Sequence, residues 1–143
     1  MTSTKTKTIL VGGCFDVIHY GHLVFLRKAR SLGNELVVLL ESDEKTKKLK
    51  GEKRPIHTQK QRRQMLLELK SVDRVATLPK NTKTSDYLKF TKKINPEIIA
   101  ATEGDPHLHY KNLCAAETGA KIVILPKIKV RSTSQIYKLL KVE

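Results

Sequence analysis

The chain has 143 residues, a length that fits one domain whose hydrophobic core can fold without disulfide or metal staples. Lysine and arginine number 28 against 14 acidic residues, so the formal net charge of +14 favours anionic partners: phosphorylated metabolites, nucleic acid or an anionic membrane surface. Only 5% of the residues are aromatic and tryptophan is absent, which disfavours a nucleic-acid interface built on base stacking.

Cysteine usage and hydropathy predict the compartment. Two cysteines, Cys14 and Cys114, do not make a disulfide framework, so reduced thiols are expected. No apolar run reaches the roughly 20 residues that a membrane span needs, and residues 1–8 contain no apolar signal core. We therefore expect a cytoplasmic protein that does not bind membranes.

Short apolar runs alternate with helical patterns along the first part of the chain. Residues 8–11 form a β-rich run that ends at two glycines, and residues 20–32 show a helical pattern stopped by Gly33. Residues 36–40 are continuously apolar, as expected for a strand in a sheet that is covered on both faces. Residues 45–50 predict a short charged helix or a loop, closed by Gly51.

The alternation continues to the end of the chain. Thr58 and Gln61 have the spacing of a capping box, which opens a helix containing Met65, Leu66 and Leu69. Further strands are predicted at residues 74–78, 98–101 and 122–125, and further helices at residues 85–94, at 107–118 and from the Ser132–Gln135 capping box through residue 140.

This order of elements predicts an α/β fold, a doubly wound parallel sheet of about five strands, forming a single domain over residues 1–143. In such folds ligands bind beyond the carboxyl ends of the strands. The residues that directly follow the first and fifth strands are therefore the first candidates for chemistry.

The segment after the first strand reads G-G-C-F-D-V-I-H-Y-G-H over residues 12–22. Gly12 and Gly13 would let the backbone turn sharply and approach a ligand. A helix beginning near residue 20 would point its free N–H groups at the strand ends, where anions bind. His19 and His22 are three residues apart and share one side of the first turn, and Gly21 removes a side chain between them. Two such imidazoles could donate hydrogen bonds to phosphate oxygens or bind a metal.

This segment resembles the G-x-F-D-x-x-H-x-G-H motif of the cytidylyltransferase-like branch of the nucleotidyltransferase superfamily. Every fixed position of the motif is present, namely Gly13, Phe15, Asp16, His19, Gly21 and His22. The resemblance implies a Rossmann-like fold and a nucleotide held at this motif, with Cys14 inside it.

The resemblance extends along most of the chain. Residues 46–56 resemble the T-K-x-x-K-G-x-x-R-P-[IV] stretch of the heptose-1-phosphate adenylyltransferase domain of lipopolysaccharide core biosynthesis. Further matches are Gln61-Arg62 to a Q-R pair, Gly104-Asp105 to a G-D pair, and Ser132-Thr133-Ser134 to a closing S-T-[ST].

The resemblance implies a role for each matched residue. His19, His22 and Lys50 are the implied catalytic group on the triphosphate, with Lys47 as the alternative cation. Asp16 would orient a histidine or hold a turn. Arg62 would contact the acceptor or the triphosphate, unless it is a solvated charge on its helix. The implied nucleotide-binding residues are Gly13, Cys14, Phe15, Asp16, Gly21, Lys47, Gly104, Asp105, Ser132 and Thr133.

The function that the resemblance implies is transfer of AMP from ATP to a phosphorylated small molecule such as a sugar 1-phosphate, with release of pyrophosphate. Mg²⁺ would accompany the nucleotide, held by phosphate oxygens and water, with no dedicated metal cluster on the protein. Relatives are often homodimers, so a homodimer is also expected.

Three other functions stay open. FMN adenylyltransferases share the H-x-G-H motif and a similar basic segment. Glycerol-3-phosphate cytidylyltransferases share the motif, but residues 127–133, K-I-K-V-R-S-T, depart from their R-T-E-G-I-S-T. A basic nucleic-acid-binding module is the alternative that is not an enzyme, and the net charge is its support.

Overall fold

The computed structural model describes residues 5–140, over which strands and helices alternate. The strands of the described part are β1 (Thr8–Gly13), β2 (Glu35–Leu40), β3 (Arg74–Thr77), β4 (Ile98–Thr102) and β5 (Lys121–Leu125). The helices of the same part are α1 (Tyr20–Arg30), α2 (Asp43–Lys50), α3 (Gln59–Leu67), α4 (Thr84–Ile94), α5 (Leu108–Thr118) and α6 (Thr133–Leu140).

The strands form one parallel sheet in the order β3-β2-β1-β4-β5. β1 pairs with β2 along its whole length, from Thr8 opposite Glu35 to Gly13 opposite Leu40. The chain winds outward from β1 to β3 and then crosses back to place β4 on the other side of β1. A crevice opens at the carboxyl ends where the strand order reverses in this way. The predicted doubly wound, Rossmann-like sheet is therefore confirmed.

Apolar side chains fill both faces of this sheet. Ile9 and Val11 pack on one face and Leu10 on the other, because successive side chains of a strand point to opposite sides. Helices α1 and α3 contribute Leu26 and Leu66 to the first face. Helices α4 and α5 cover the second face with Tyr87, Leu88, Cys114 and Ala115. The strand predicted at residues 36–40 is buried on both faces, as expected.

Capping side chains fix the helix starts. The hydroxyl of Thr58 accepts from Gln61 N–H while the Gln61 side chain accepts from Thr58 N–H, which confirms the capping box predicted for α3. Ser132 and Gln135 form the same arrangement at α6. Over residues 5–140, no helix combines the length and the apolar character needed to cross a membrane.

Several boundaries differ from the prediction by one or two residues, and for two helices the contacts show why. The charged segment at residues 45–50 belongs to a helix, α2, whose start is fixed by the Ser42 hydroxyl accepting from Lys45 N–H. Helix α1 ends at Arg30 rather than at residue 32, because Leu32 and Gly33 donate to carbonyl oxygens only three residues back and so tighten the last turn.

Gly33 lies where the chain between α1 and β2 passes the amino-terminal side of the sheet. A Cβ at this position would come within 2.4 Å of the Lys7 carbonyl oxygen and 2.9 Å of Ile9 Cδ1. We expect Gly33→Ala to lower the free energy of unfolding by about 1–3 kcal/mol in urea titrations, because backbone would have to move. Gly12→Ala is the matched control, since its Cβ would only touch the Leu39 carbonyl oxygen at 3.6 Å. An equal loss in both variants would contradict this explanation.

Candidate active site

A cavity of about 520 Å³ opens at the carboxyl ends of β1, β2 and β4. We refer to it as the strand-end cavity. The residues predicted from the sequence that line it are Gly13, Cys14, Phe15, Asp16, His19, Gly21, His22, Lys50, Gly104, Asp105 and Ser132. Lys47 and Arg62 are not among its lining residues. The side chain of Thr133 lies outside the described part of the structure.

The turn between β1 and α1 is built differently from the expectation. Its left-handed residues are Phe15, with φ 47°, and Val17, with φ 57°, rather than Gly12 or Gly13. A positive φ is costly for a β-branched residue, so contacts around the turn must hold it. Gly13 serves another purpose, because a Cβ there would lie 2.9 Å from Phe15 Cε2. The glycine leaves space for the Phe15 ring, whose centroid is 5.3 Å from that of His22.

The carboxylate of Asp16 ties this turn to the loop that follows α2. Its side chain is fully buried and accepts from Arg54 Nε at 2.6 Å and from the N–H groups of Ile56 and His57 at 2.8 and 3.1 Å. Burial raises the pKa of Asp16, but the Arg54 hydrogen bond and the two backbone N–H groups outweigh it and lower the pKa overall. Of the two roles predicted for Asp16, the geometry supports the one of holding a turn.

His19 and His22 form a stacked pair at the start of α1, with ring centroids 3.9 Å apart. His19 Nδ1 accepts from Gly21 N–H at 3.0 Å, and His22 Nδ1 accepts from His19 N–H at 3.1 Å. Because each Nδ1 is an acceptor, a neutral ring carries its proton on Nε2. Both rings line the strand-end cavity, so the pair brings two Nε2–H donors of fixed tautomer to its wall.

Burial and positive neighbours keep this pair neutral. Burial, followed by the charges of His19 and Lys50, lowers the pKa of His22 to about 3. Burial and then Lys50 also lower the pKa of His19. An anion beside the rings would act in the opposite direction. In the structure described, the histidines are therefore neutral hydrogen-bond donors next to a lysine, which is a combination suited to phosphate oxygens.

The first turn of α1 was expected to offer its free N–H groups to an anion. His19 is instead the N-cap, and its own atoms use several of these groups. Its Nδ1 accepts from Gly21, and its carbonyl oxygen accepts from His22 and Leu23 at 3.0 and 3.3 Å. The positive end of the helix dipole therefore acts on the cavity through the imidazole of the cap more than through open amides.

Helix α2 places Lys50, not Lys47, at the cavity. Lys47 Nζ lies 3.1 Å from the Glu52 carboxylate, while Lys50 is the last residue of α2 and lines the cavity. Lys50 is also close enough to the histidine pair to affect the pKa of both rings. Of the two lysines proposed from the sequence as the phosphate cation, Lys50 has the position for it.

The helix that carries Lys50 is fixed against the first motif. Thr46 is fully buried, donates to the Ser42 carbonyl oxygen at 2.8 Å and hydrogen-bonds the Cys14 thiol. Burial is the main cause that raises the pKa of Cys14, so this thiol is protonated at neutral pH. Cys14 is a small side chain in the cavity wall that packs against α2.

Arg62 is a buried link rather than a ligand contact. Its side chain has 0% exposure, and it donates to the Cys14 carbonyl oxygen at 2.7 Å, to Asp43 Oδ1 at 2.7 Å and to the His57 carbonyl oxygen at 3.0 Å. Neither the predicted acceptor contact nor the solvated-charge alternative describes this geometry. Three segments around the cavity, which are far apart in sequence, depend on this one guanidinium.

Gly104 and Asp105 follow β4, as the sequence suggests. Gly104 has φ 76°, and the Asp105 carboxylate accepts from His107 N–H at 2.8 Å and from Lys111 Nζ. Burial raises the pKa of Asp105, but the Lys111 hydrogen bond and the His107 N–H outweigh it and lower the pKa overall. In this structure the carboxylate is committed to fixing the start of α5 and Lys111 in the cavity wall.

Two further lining residues, Glu41 and Tyr87, are not among those predicted from the sequence. Glu41 is 8% exposed, and its carboxylate oxygens lie 3.0 and 2.7 Å from the Tyr87 hydroxyl, which donates to them. The Tyr87 ring stacks on Tyr110 at 5.7 Å between centroids. A signal for Glu41 was present, because it is an acidic residue placed directly after a fully buried strand, where the carboxyl edge of the sheet lies.

Ser132 lines the cavity and also caps α6. Its hydroxyl accepts from Gln135 N–H at 3.3 Å, and its own N–H donates to Gln135 Oε1 at 2.7 Å. The N-cap role is therefore observed, and contact of Ser132 with a phosphate stays a prediction. Thr133 follows at the first position of the helix.

The carboxylates around the cavity do not form a metal site. Asp16 pairs with Arg54 and Asp105 with Lys111, and the other two carboxylates of the lining are those of Glu41 and Glu103. Over residues 5–140, no group of three or more His, Cys, Asp and Glu side chains is placed to hold a metal ion. The side chains described therefore do not fit a metal ion held by the protein alone.

A doubly wound parallel sheet with imidazole donors and a lysine at its topological switch point is the arrangement of a nucleotide-binding α/β enzyme. The cytidylyltransferase-like family model matches residues 10–133. The chain belongs to this family, and it is a nucleotidyltransferase domain.

Curated relatives include proteins of Helicobacter species. The bifunctional protein HldE of Helicobacter hepaticus is 38% identical over 132 residues, which are 92% of this chain and 26% of that protein. HldE of Helicobacter pylori strain P12 is 34% identical over 140 residues, 98% of this chain and 29% of that protein. The chain thus spans less than a third of the length of these curated relatives.

Solved structures agree with the fold. The lipopolysaccharide core biosynthesis protein of Thermoplasma volcanium superposes with a TM-score of 0.70 at 25% identity, over 88% of this chain and 99% of that one. Thermotoga maritima TmcAL bound with alpha-thio ATP has a TM-score of 0.70 at 11% identity, over 94% of this chain and 50% of that one, and supports the fold alone.

Gly21 is a position at which an added side chain would collide with the histidine pair. A Cβ there would lie 2.7 Å from His19 Cε1 and 2.8 Å from Val130 Cγ2, so the glycine accommodates the imidazole and the chain before α6. We expect Gly21→Ala to displace the His19 ring and to lower nucleotidyl transfer about 100-fold, measured as the steady-state rate of pyrophosphate release. A variant that folds and keeps full turnover would contradict this role.

Arg62 gives a stability test with a matched neighbour. We expect Arg62→Ala to lower the free energy of unfolding by about 2–4 kcal/mol, because the buried Cys14 carbonyl oxygen and two partly buried acceptors lose their donor. Arg63→Ala, an exposed arginine on the same helix, should change it by no more than about 0.5 kcal/mol. If Arg62→Ala kept wild-type stability and only raised the KM for an acceptor, the sequence-based acceptor role would be restored.

Proposed function

We propose that the chain transfers AMP from ATP to the phosphate of a sugar 1-phosphate and releases pyrophosphate. The observation that carries the proposal is the stacked His19–His22 pair, with Lys50 beside it, in the cavity of a cytidylyltransferase-like domain. The likeness of residues 46–56 to heptose-1-phosphate adenylyltransferase domains favours ATP and a sugar phosphate. Similarity to the HldE proteins points the same way.

The histidine pair and Lys50 would hold the triphosphate. Each neutral imidazole can donate its Nε2–H to a phosphate oxygen without first breaking an ion pair. Lys50 supplies the positive charge. Because backbone N–H groups fix both Nδ1 atoms, the two rings cannot switch tautomer without losing a hydrogen bond. Donors held in this way need little reorganisation when charge builds up during the reaction.

The chemical step needs no nucleophile from the protein. An oxygen of the acceptor phosphate attacks the α-phosphorus of ATP, and the bond to the oxygen that bridges the α- and β-phosphates breaks. That oxygen leaves with the electron pair as part of pyrophosphate. Negative charge grows on the departing group, where the imidazole donors and Lys50 stabilise it more in the transition state than in the ground state. Cys14, the thiol in the wall, has its pKa raised by burial and takes no part as a nucleophile.

Mg²⁺ belongs to this proposal as a companion of the nucleotide. Because no group of three or more His, Cys, Asp and Glu side chains among residues 5–140 is placed to hold a metal ion, phosphate oxygens and water would supply the ligands. When bound, the ion would neutralise charge on the phosphates. The proposal also includes a homodimer and a cytoplasmic location, which rest on the family resemblance and on the predicted reduced thiols.

Histidine variants test the proposal directly. With ATP, Mg²⁺ and heptose 1-phosphate, we expect His19→Ala and His22→Ala each to lower pyrophosphate release by about 100- to 1,000-fold, because each removes one donor to developing charge. His109→Ala is the matched control, since this histidine lies on α5 outside the cavity lining. Lys48→Ala serves the same purpose for Lys50→Ala.

The acceptor and base are tested in the same assay. ATP and CTP are each combined with heptose 1-phosphate, FMN and glycerol 3-phosphate. Turnover restricted to ATP and the sugar phosphate supports the proposal, and turnover restricted to FMN or to CTP with glycerol 3-phosphate replaces it by the corresponding alternative. DNA binding that weakens steeply with salt, in a protein without turnover, would favour the nucleic-acid module.

A further inference from the structure

The lining of the strand-end cavity includes a buried carboxylate, that of Glu41, whose hydrogen bonding is incomplete. Glu41 follows β2, is 8% exposed, and receives a hydrogen bond from the Tyr87 hydroxyl at 2.7 Å. A hydroxyl has one proton, whereas a carboxylate has about four lone-pair sites. Over residues 5–140, Tyr87 is the residue that donates to this carboxylate, so most of its acceptor capacity is left for a ligand or water.

Burying a carboxylate costs free energy unless hydrogen-bond donors satisfy its oxygen atoms. Burial raises the pKa of Glu41, and Tyr87, Lys45 and Lys111 oppose that effect only in part. Structural carboxylates of the same chain are satisfied differently, since Asp16 accepts from three donors. A buried carboxylate with spare lone pairs in a cavity is therefore suited to ligand hydroxyl groups, which donate without bringing a negative charge.

Aromatic rings line the same cavity as Glu41. The ring of Tyr87 stacks on that of Tyr110 with 5.7 Å between centroids, and the centroid of the His107 ring is 6.2 Å from that of Tyr110. All three residues line the cavity. A carboxylate edge next to aromatic faces is complementary to a carbon ring that carries hydroxyl groups, because the hydroxyls donate to the oxygens and the C–H faces pack on the rings.

The charges of the cavity also favour one orientation of a bound molecule that carries both hydroxyl groups and a phosphate. A phosphate group would be repelled by the Glu41 carboxylate and attracted to Lys50 and the histidine donors. Glu41 N–H donates to the Gly13 carbonyl oxygen at 3.0 Å, so Glu41 lies beside the end of β1, from which the chain continues to the histidine pair. An acceptor can therefore place its phosphate toward the nucleotide and its carbon skeleton against Glu41.

We propose that Glu41 is a specificity-determining residue of the acceptor subsite, whose carboxylate accepts hydrogen bonds from hydroxyl groups on the sugar ring of a phosphorylated acceptor. This inference rests on the proposed function for the identity of the reaction. It goes further by assigning the recognition of the acceptor's hydroxyl groups to one side chain.

Glu41→Gln tests the assignment, because glutamine keeps an acceptor oxygen for Tyr87 and removes the charge. We expect the KM for heptose 1-phosphate to rise about 10- to 100-fold, as for loss of hydrogen bonds to a charged group, with the KM for ATP changed less than about two-fold. Glu35→Gln is the matched control, since Glu35 lies at the other end of β2 and outside the cavity lining.

Monodeoxy analogues of the sugar phosphate distinguish recognition from a general structural effect. Wild type should discriminate about 10-fold or more against the analogue that lacks the contacted hydroxyl, and Glu41→Gln should lose that discrimination. Unchanged discrimination in Glu41→Gln, or a shift of the Mg²⁺ or ATP dependence in place of the acceptor KM, would overturn the inference.

Calorimetric binding of heptose 1-phosphate separates this inference from the proposed function. Binding by wild type that Glu41→Gln weakens, in a protein that releases no pyrophosphate, keeps the inference and removes the function. Absence of binding to wild type overturns the inference. If Glu41→Gln does not fold, Tyr87→Phe replaces it: retained discrimination supports Glu41, and lost discrimination assigns the recognition to Tyr87 and overturns it.

Discussion

The buried carboxylate of Asp16 connects the two halves of the site. Its hydrogen bonds with Arg54, Ile56 and His57 bind the left-handed turn after β1 to the loop after α2. The turn leads directly into His19, and the loop begins immediately after Lys50. Removing one partner of a buried ion pair costs several kcal/mol, about 3–5 in measured cases, so this connection fixes the lysine and the histidines relative to each other. The strained φ of Val17 is tolerated because its neighbour Asp16 is held so firmly.

The histidine pair shows how such a framework fixes which ring nitrogen carries the proton and can donate it. A histidine at an N-cap would ordinarily present either ring nitrogen to solvent. Here the backbone N–H groups of Gly21 and His19 take the Nδ1 atoms, so the proton of a neutral ring is on Nε2. Burial, followed by neighbouring positive charges that include Lys50, lowers the pKa of both rings and so keeps them neutral. The positive charge of the site is thus concentrated on the lysine, while the imidazoles contribute directional hydrogen bonds.

Local sequence signals predicted the elements and the motif, and long-range contacts account for what they missed. Capping pairs such as Thr58 and Gln61 act over three residues, so their spacing is visible in the sequence. The roles of Gly13 and Gly21 depend on which ring lies above each glycine, and that is decided by the path of the turn. Arg62 was misjudged because its acceptors, including Cys14 and Asp43, come from segments that only the folded sheet brings together. Glu41 was missed for the same reason, since its partner Tyr87 is 46 residues away.

The distribution of charge explains why a formal net charge of +14 does not by itself define the ligand. Most of the basic side chains of residues 5–140 are exposed, and salt at physiological strength screens them beyond about 8 Å. Such a field raises the rate at which anions meet the protein, without selecting one of them. Selection requires the cavity, whose lining includes hydrogen-bond donors, namely Lys50 and two neutral imidazoles, and the acceptor Glu41. In the proposed function, a polyanion without hydroxyl groups would be bound by the donors alone, whereas a phosphate attached to a hydroxylated ring would be bound by the donors and by Glu41. This combination of donors and an acceptor, rather than the total charge, is what would distinguish a small phosphorylated acceptor from the nucleic acid that the composition alone would also attract.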